Sequence, residues 1–416
     1  MLYKQYRKSF NKFIRGLVFS ALIVIVSTGN SFSKDNLSIL KENIDLILSG
    51  VSGNVSVQVA SADKYDLIYE YNPQLKMIPA SITKMITAAA ALEYLGTDHN
   101  FRTVLYSDDS NISDGIVNGN IYLKGFGDPD LNTNDLNYLA KLFAAKNITE
   151  VTGNLVFDES YLDNQYYGLS NFYQGDTKSN YWPYVNALCL NKNHGTTDPS
   201  STAGNILADA LIYENVKLGG IVISGVTPTG AKEIADVSHS MYNVLSQMNK
   251  ASDNHSAITV FKVIGAAYDS PPGSLDKGES AVIEFLTSMG NTRSNFEILE
   301  GSGLTRYNTV NSDLYIRLLK YMYDDLKGFD YFYNSLAVSG VDGTLRNRMI
   351  GTEAEGNIHA KTGTLNSVSA LSGYAVTRDN ELLLFYIAMN GFGGGNNGPR
   401  NIQDQVCEQL CMYSRN

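Results

Sequence analysis

The chain has 416 residues, of which 44% are hydrophobic and 18% are charged, and it carries a formal net charge of −10 at pH 7. This length leaves room for two or three globular domains. Because binding of a phosphate backbone requires clustered Lys and Arg side chains, the acidic balance argues against a nucleic-acid partner.

Residues 1–33 have the layout of a secretory signal peptide. Basic residues between positions 4 and 15 precede a short apolar core at residues 17–26, and Ser31 and Ser33 offer small side chains at the cleavage spacing. The apolar run is about half the roughly 20 residues that span a bilayer, so a membrane anchor is the weaker interpretation. We predict export, with a mature chain that begins near Lys34.

The first elements of the mature chain follow from the spacing of apolar residues. Residues 36–48 are predicted to be a helix, and two alternating strands follow at 54–60 and 66–71. Residues 78–95 then predict a helix that is apolar on most faces and therefore buried. Pro79 stands near its start, where a missing backbone N–H costs nothing.

Ser81 and Lys84 lie one turn apart at the beginning of this helix and share one face. A helix N-terminus carries unpaired N–H groups and partial positive charge, which stabilise an oxyanion. A lysine in apolar surroundings is pushed towards its neutral form and can then accept a proton from a neighbouring hydroxyl. Alone, this spacing is weak, because most such pairs lie on a solvated surface.

Residues 101–235 have a different sequence pattern, in which short predicted strands alternate with turns rich in Asn, Asp and Gly. One helix is predicted there, at residues 135–146. Because no long linker separates this region from its flanks, we interpret it as an inserted, mostly β domain. Its predicted strands cover residues 102–106, 116–124, 151–158 and 216–225.

Helical periodicity returns after residue 236, and strands follow near the C-terminus. The last strand is an almost continuous apolar run, as in the centre of a sheet. We therefore predict an α+β domain in which residues 34–100 and 236–416 together form a sheet covered by helices. The predicted helices cover residues 240–252, 257–267, 278–289, 312–327 and 399–413, and the strands cover residues 359–364, 367–377 and 381–389.

The sequence gives no sign of a metal or another cofactor, so none is predicted. The histidines, among them His255, show no ligand spacing, and His255 is interpreted as a packing or surface residue. Cys189, Cys407 and Cys411 include no C-x-x-C pair, and the last two lie one helical turn apart, which is poor geometry for a disulfide. We predict buried free thiols.

Two further motifs strengthen the interpretation of Ser81 and Lys84 as catalytic residues. Ser252-Asp253-Asn254 stands where one predicted helix turns into the next, and Lys361-Thr362-Gly363 lies on a predicted strand. S-x-x-K, S-D-N and K-T-G occur together in penicillin-binding proteins and class A β-lactamases. The three motifs in this order, on these predicted elements, indicate a serine enzyme that transfers acyl groups.

The residue types suit that chemistry. Ser81 would attack a carbonyl to form an acyl-enzyme, with a neutral Lys84 as its base. Ser252 would relay a proton between Lys84 and the leaving amine, and Asn254 would bind the substrate's amide. Lys361 would stay charged, hold a terminal carboxylate and help to lower the pKa of Lys84.

Backbone groups complete the predicted site. Gly363 would let the substrate backbone lie close against the strand. The N–H groups of Ser81 and Thr364 would form the oxyanion hole.

Further segments resemble one family over nearly the whole mature chain. The chain is similar to the class C low-molecular-mass penicillin-binding proteins, the D-alanyl-D-alanine carboxypeptidase/endopeptidases of the penicillin-binding protein 4 type. The resemblance is carried by GNIYLKGFGDPDL (119–131), VTGNLVFDES (151–160), EGSGLTRYN (300–308), SGVDGTLRNRM (339–349) and HAKTGTLNSVSALSGYA (359–375).

This resemblance implies an α/β sandwich, with a β-lactamase/transpeptidase-like catalytic domain built from residues 34–100 and 236–416. It implies periplasmic cleavage of peptidoglycan stem peptides and cross-links, and acylation by β-lactam antibiotics. It also leaves a homodimer possible. Typical members have a longer insertion between the first two motifs, so we expect one accessory part of the 101–235 insert to be trimmed or missing.

The family pattern assigns the carboxylate contact to Lys361 and Thr362, and it adds two residues. Asp158, in the FDxS segment, is expected to reach from the insert towards the amine of the substrate's diamino acid. The alternative is a carboxylate that caps the turn after its strand. Arg306, in the SGL[ST]R segment, is expected either to line the same cleft or to form a structural salt bridge.

Two other functions stay open at this point. A serine β-lactamase uses the same motifs, but the large insert is foreign to those enzymes. It also needs rapid deacylation, often through the glutamate of an E-x-x-x-N loop between the second and third motifs, which we do not expect here. A non-catalytic peptidoglycan-binding protein on a decayed scaffold would have lost a motif residue, and all of them are present.

Overall fold

The computed structural model describes residues 35–174, 177 and 181–415, so the predicted signal peptide lies outside the described residues. No helix among these residues is long and apolar enough to cross a membrane. The helices are α1 (Asn36–Leu48), α2 (Thr83–Leu95), α3 (Thr133–Ala144), α4 (Pro199–Tyr213), α5 (Met241–Lys250), α6 (Asn254–Asp269), α7 (Leu275–Ser288), α8 (Ser312–Asp324), α9 (Phe329–Ser335) and α10 (Asn397–Met412).

Six of the nine predicted strands lie within two residues of their predicted ends, whereas those predicted at 116–124, 151–158 and 216–225 are each split into two short strands, and the last four strands before residue 358 were not predicted. The strands are β1 (Asn54–Ser61), β2 (Leu67–Tyr71), β3 (Asn100–Ser107), β4 (Ile116–Val117), β5 (Ile121–Gly125), β6 (Glu150–Val151), β7 (Leu155–Asp158), β8 (Lys217–Leu218), β9 (Val222–Ser224), β10 (Lys232–Ser240), β11 (Phe296–Glu297), β12 (Thr309–Val310), β13 (Ala337–Val338), β14 (Ile358–Leu365), β15 (Val368–Val376) and β16 (Leu382–Asn390).

A six-stranded antiparallel sheet joins the two ends of the chain, with the strand order β13-β14-β15-β16-β1-β2. β1 pairs with β16 along its whole length, from Asn54 opposite Asn390 to Ser61 opposite Leu383. Both ends of the chain therefore contribute to one sheet, as the sequence predicts.

Helices cover both faces of this sheet. Because side chains alternate along each strand, a single strand contributes to the apolar clusters on both faces. On β16, Leu384 and Tyr386 point into one apolar cluster, whereas Leu383 and Phe385 point into another. The first cluster includes side chains of α2 and of α5 to α8, and the second includes those of α1 and α10. A strand that is buried on both faces needs the nearly continuous apolar run seen in β16.

α2, which carries Lys84, is buried along most of its length. A 3₁₀ turn, Ala80–Ile82, leads into it, and every residue from Thr83 to Leu92 is buried. This burial agrees with the helix predicted over residues 78–95.

The strands between residues 100 and 240 form separate sheets. Five of them have the order β10-β3-β5-β7-β9, in which β5, β7 and β9 run parallel. Parallel neighbours need crossover connections, which α3 and α4 supply. The mostly β prediction with a single helix missed α4, although Asp198 caps it through the Ser201 N–H at 3.0 Å. The parallel strands make this region an α/β unit.

The boundaries of the predicted insert, 101–235, stay a prediction. Side chains from within that range, among them Leu162, Trp182 and Val185, lie in the same apolar cluster as α2 and α6. Packing therefore ties this region to the helices that cover the six-stranded sheet.

The three thiols are buried and free, as predicted. Burial raises the pKa of Cys189, Cys407 and Cys411, which keeps them in the unreactive thiol form.

Candidate active site

Ser81 lies in the 3₁₀ turn directly before α2. Ala80 has a left-handed backbone with a φ of 48°, and its carbonyl accepts a hydrogen bond from Thr83 Oγ1 at 2.8 Å. This tight turn leaves Ser81 partly exposed, whereas the helix behind it is buried. Ser81 is therefore presented at the N-terminal end of a firmly packed helix.

Lys84 is fully buried one turn later. Its Nζ lies 3.1 Å from Ser81 Oγ, 2.7 Å from Asn254 Oδ1 and 2.7 Å from the carbonyl oxygen of Ser302. A lysine ammonium has three donors, and these contacts use all three. The nitrogen is thus held in place with one direction towards the serine hydroxyl.

A buried glutamate that was not a predicted site residue shapes the loop behind Lys84. Glu300 accepts hydrogen bonds from the Ser302 N–H at 2.6 Å and from Ser302 Oγ at 2.5 Å. Thr87 Oγ1 donates to the Gly301 carbonyl at 2.8 Å. Lys84 and Thr87, on successive turns of α2, therefore hold the same loop.

Ser252 and Asn254 come from the turn between α5 and α6. Ser252 has a left-handed φ of 59°, which sharpens the turn. Asp253 is the N-cap of α6 and accepts a hydrogen bond from the Ser256 N–H at 2.7 Å. This cap makes Asn254 the first residue of α6, from which its side chain reaches Lys84.

The third motif lies on β14, whose successive residues face opposite sides. Lys361 is fully buried, and its Nζ donates to Ser252 Oγ at 2.9 Å and to the Thr362 carbonyl at 2.9 Å. Thr362 and Thr364 face the other way and line a cleft together with Ser81 and Ser252. The three motifs thus meet at one place.

Gly363 faces the 3₁₀ turn that precedes α2, and it does not line the cleft. A Cβ at this position would lie 2.4 Å from the Pro79 carbonyl oxygen and 3.2 Å from the Ile82 nitrogen. The prediction that this glycine makes room for substrate is therefore wrong. Its role is to let β14 approach the turn that carries Ser81.

Within the part of the chain that the structure describes, no strand lies beside the edge of β14 that carries the third motif. Among the described residues, β13 pairs only with the beginning of β14, whereas β15 pairs along its full length. The Ile358 carbonyl accepts a hydrogen bond from the Ser339 N–H at 3.0 Å on the β13 side. Because backbone groups of alternate residues point the same way, the N–H of Thr364 points to the open edge.

Burial lowers the pKa of both lysines. The pKa of Lys84 falls to about 8 because burial penalises its charge, against the opposing effect of Glu300 and Asp253. The pKa of Lys361 falls well below its ordinary value, through burial first and then through the charge of Lys84. No carboxylate of the described residues forms an ion pair with Lys361, so its predicted charged state depends on a carboxylate from elsewhere.

The cleft has a volume of about 500 Å³. Besides the motif residues, it is lined by Thr344, Asn347, Arg348 and Arg400.

The sequence model of the D-Ala-D-Ala carboxypeptidase 3 (S13) family matches residues 40–197 and 193–411. The chain belongs to this family. A D-alanyl-D-alanine carboxypeptidase of an Actinomadura species is 30% identical over 91% of this chain and 85% of its own length. The D-alanyl-D-alanine carboxypeptidase DacB of Haemophilus influenzae is 25% identical over 82% of this chain and 86% of its own length.

Solved structures share the fold of this S13 family chain. Penicillin-binding protein 4 of H. influenzae matches with a TM-score of 0.75 and 23% identity, over 91% of this chain and 100% of that chain. A predatory peptidoglycan endopeptidase of Bdellovibrio bacteriovorus matches with a TM-score of 0.58 and 17% identity, over 88% and 94%. The predicted fold class and the predicted enzyme class, a serine-type D-Ala-D-Ala carboxypeptidase, are both confirmed.

A glutamate with β-lactamase spacing does occur in this S13 family chain, contrary to our expectation. Glu353 and Asn357 fit E-x-x-x-N between the second and third motifs. Both line a different cleft from that of Ser81, and Glu353 Oε1 lies 3.6 Å from Arg378 Nη2. The spacing therefore provides no deacylating group at the three motifs.

Asp158 is buried at the end of β7 and is not presented to a substrate. Its carboxylate accepts hydrogen bonds from the Ser160 N–H at 2.9 Å and the Thr227 N–H at 2.8 Å, and Lys124 Nζ lies 3.4 Å away. Burial acts to raise its pKa, but these hydrogen bonds outweigh burial and leave the pKa below its usual range. The predicted substrate contact is therefore corrected to the alternative, a carboxylate that caps its own turn.

Asp158→Asn is expected to destabilise the fold by about 1–3 kcal/mol, because the two backbone N–H groups bond to different carboxylate oxygens and one of these oxygens becomes an NH2 donor. Acylation by benzylpenicillin should hardly change per folded molecule. Unfolding in urea measures the loss, with Asp209→Asn on an exposed face of α4 as the control. Because the pKa of Asp158 is lower in the folded than in the unfolded state, its charge stabilises the fold at pH values above the unfolded-state pKa. The stability difference between the wild type and Asp158→Asn should therefore shrink below about pH 4. Unchanged stability with a selective loss on free-amine peptides would restore the original prediction.

Arg306 donates a hydrogen bond to the Asn366 carbonyl at 2.8 Å, in the turn between β14 and β15. It is not among the described residues that line the cleft with Ser81. This hydrogen bond ties the arginine to the turn between β14 and β15, and the two expected roles, a cleft contact and a structural salt bridge, stay predictions.

Four cleft residues were not predicted. Thr344 Oγ1 accepts a hydrogen bond from Thr362 Oγ1 at 2.8 Å, and Arg348 Nη2 lies 2.7 Å from Asp404 Oδ1. Arg400, in the first turn of α10, is 3.5 Å from Thr364 Oγ1. Thr344, Asn347 and Arg348 lie in the SGVDGTLRNRM segment, which carries part of the family resemblance and could have indicated that they lie near the site. Arg400 lies outside every segment that carried the resemblance.

Proposed function

We propose that this protein is a serine D-alanyl-D-alanine carboxypeptidase/endopeptidase that cleaves peptidoglycan stem peptides and cross-links through an acyl-enzyme on Ser81. The contact between Lys84 Nζ and Ser81 Oγ, at 3.1 Å, carries the proposal. A buried amine with a pKa of about 8 is suited to take the proton of a neighbouring hydroxyl.

Acylation begins when Lys84 accepts the proton of Ser81 and Oγ attacks the scissile carbonyl carbon. The oxyanion develops beside the N–H groups of Ser81 and Thr364. The C–N bond then breaks, and the leaving amine receives the proton held by Lys84, with Ser252 as the relay, whose Oγ accepts a hydrogen bond from Lys361. Water attacks the resulting ester and releases the shortened peptide.

Substrate binding uses the open edge of β14, along which an extended peptide lies. Lys361 and Thr362 hold the terminal carboxylate, which compensates the buried charge of Lys361. Asn254 Oδ1 already accepts from Lys84, so its amide nitrogen is the atom that donates to a substrate carbonyl.

We also infer that the protein is exported to the periplasm and that β-lactams acylate it. The layout of residues 1–33 supports export. Penicillin-binding protein 4 of H. influenzae, which shares the fold, has been solved in complex with a β-lactam. Cell fractionation with an antibody against the mature chain tests the location, and retention in the cytoplasm would contradict it.

Digestion of purified peptidoglycan fragments tests the reaction. Monomeric pentapeptide fragments should lose one D-alanine, and cross-linked dimers should yield monomers, both identified by mass. Ser81→Ala is the inactive control. If neither fragment changes under conditions in which the enzyme is folded, the proposed function is wrong.

A further inference from the structure

Lys192 links the region between residues 101 and 235 to the second motif. Its Nζ lies 2.9 Å from Ser256 Oγ, 3.1 Å from Asp130 Oδ1 and 3.4 Å from Asp253 Oδ2. The Pro129 carbonyl is a weaker fourth partner at 3.5 Å. One ammonium thus joins two carboxylates and a hydroxyl from two segments that are distant in sequence.

The turn that carries Lys192 is held in an unusual backbone conformation. Asn191, Lys192 and Asn193 have successive φ values of 49°, 56° and 58°. Asparagine tolerates this left-handed region, whereas lysine rarely adopts it. The Asn191 N–H donates to the Leu131 carbonyl at 2.8 Å, and Asn193 Nδ2 donates to the Tyr184 carbonyl at 2.9 Å. The hydrogen bonds of the residues before and after Lys192 therefore fix this lysine in a backbone conformation that it disfavours.

The contacts of Lys192 fall on the N-cap of α6. Asp253 forms that cap with the Ser256 N–H, and Lys192 binds both the carboxylate of Asp253 and the hydroxyl of Ser256. Asn254, which contacts Lys84 at 2.7 Å, immediately follows Asp253. The position of Asn254 therefore depends on a cap that Lys192 braces from outside the motif.

We propose that Lys192 is a positioning residue for the acylation of Ser81, because it braces the Asp253–Ser256 cap and so holds Asn254 against Lys84. This inference rests on the proposed function. Lys192 was not a predicted site residue, since it stands 60 residues before the motif that it contacts and belongs to none of the three motifs.

Lys192 and its carboxylate partners Asp130 and Asp253, a charged cluster, also affect the charge balance around Lys84. Asp253 and Glu300 act to raise the pKa of Lys84, while the charge of Lys84 helps to lower the pKa of Lys361. Burial acts to raise the pKa of Asp253, and the charge of Lys192 leads the interactions that lower it.

His255 also faces this cluster. Burial lowers the pKa of His255 to about 3, so it is neutral near pH 7. Asp130 is the second carboxylate on Lys192. Loss of the Lys192 charge leaves the carboxylates without their balancing cation, which favours the protonated form of Lys84 and moves acylation to higher pH.

The test measures the rate constant of acylation by benzylpenicillin against pH, per folded molecule. Lys192→Asn keeps a residue that tolerates the left-handed backbone but removes the ammonium. It should react about 5- to 20-fold more slowly at pH 7 and regain part of the rate at higher pH, as a pKa increase of about one unit requires. Lys192→Arg keeps the charge and should stay within about threefold of the wild type.

Two further variants sharpen the test. Lys217→Asn removes an exposed lysine that pairs with Glu150 at 2.7 Å in the same region, and it should leave the rate unchanged. Asp130→Asn removes one negative charge from the cluster and should shift the pH profile in the opposite direction, to lower pH. This variant keeps the test decisive even where Lys192→Asn folds poorly.

The possible results separate this inference from the proposed function. A wild-type rate and pH profile in Lys192→Asn, whatever its melting temperature, would show that Lys192 is only a structural tie and would overturn the inference. A pH-independent loss that Lys192→Arg does not restore would overturn it as well. Absence of any adduct in the folded wild type would instead refute the proposed function.

Discussion

Ser81→Ala should abolish acylation, with the rate of peptide cleavage lower by about 10⁶-fold, as for the loss of the nucleophile in other serine hydrolases. The wild type should give a single adduct with benzylpenicillin in intact-mass analysis, and the variant none. Ser81 is the serine that lies 3.1 Å from a buried amine at the start of α2. Because the residue is partly exposed and the change is small, the fold should be retained.

The control for this experiment is Ser294→Ala, at an exposed position between α7 and β11. It should acylate like the wild type. An adduct that survives in Ser81→Ala would remove Ser81 from the role of nucleophile, and peptide mapping would then locate the residue that reacts.

Lys84→Arg should slow acylation by about 10²-fold or more, the usual loss when a general base is removed. A guanidinium stays protonated at all relevant pH values and cannot accept the proton of Ser81. In the wild type, a pKa of about 8 makes the rate rise with pH up to that value. At pH 7, about one molecule in ten has the neutral amine. The variant should lose this pH dependence along with the rate.

Two comparisons make the Lys84 result specific. Lys262→Arg is a matched control, because Lys262 is also buried and pairs with Asp163 at 2.7 Å, away from the three motifs. It should keep the wild-type rate per folded molecule. Lys361→Arg retains the cation for a substrate carboxylate and should be milder than Lys84→Arg. Near-normal acylation by Lys84→Arg would assign the base to another group.

Lys84→Met serves if the larger guanidinium prevents folding. An apolar side chain of similar length fits a fully buried position and removes the amine without adding a charge. Its acylation rate should be as low as that of Lys84→Arg, and circular dichroism should show a retained fold.

Several elements could be predicted from the sequence because their pattern is local. α1 begins and ends where apolar spacing places it, at Asn36 and Leu48, since a helix with one buried face needs that period. β16 was predicted because a strand that is covered on both faces is apolar throughout. α4 was missed because its small residues, such as Ala203 and Gly204, weaken the apolar stripe, although Asp198 and Pro199 signal its start.

The three motifs and their order were enough to identify the site, because each motif has its own chemistry, and the five further segments of the resemblance identified the family. The sequence by itself therefore determined the enzyme class and brought Ser81, Lys84, Ser252, Asn254 and Lys361 into one hypothesis, and the structure places these residues within hydrogen-bonding reach of one another in the pairs described above.

Only the tertiary structure decided which way ambiguous residues face. Asp158 caps its own turn because Thr227, 69 residues later, provides the second N–H and a neighbouring strand provides Lys124. Glycine is required at position 363 because a Cβ there would lie 2.4 Å from the Pro79 carbonyl oxygen. Lys192 contacts a motif that lies far along the chain. Such roles depend on partners that are distant in sequence, and a linear pattern does not encode the distances between them.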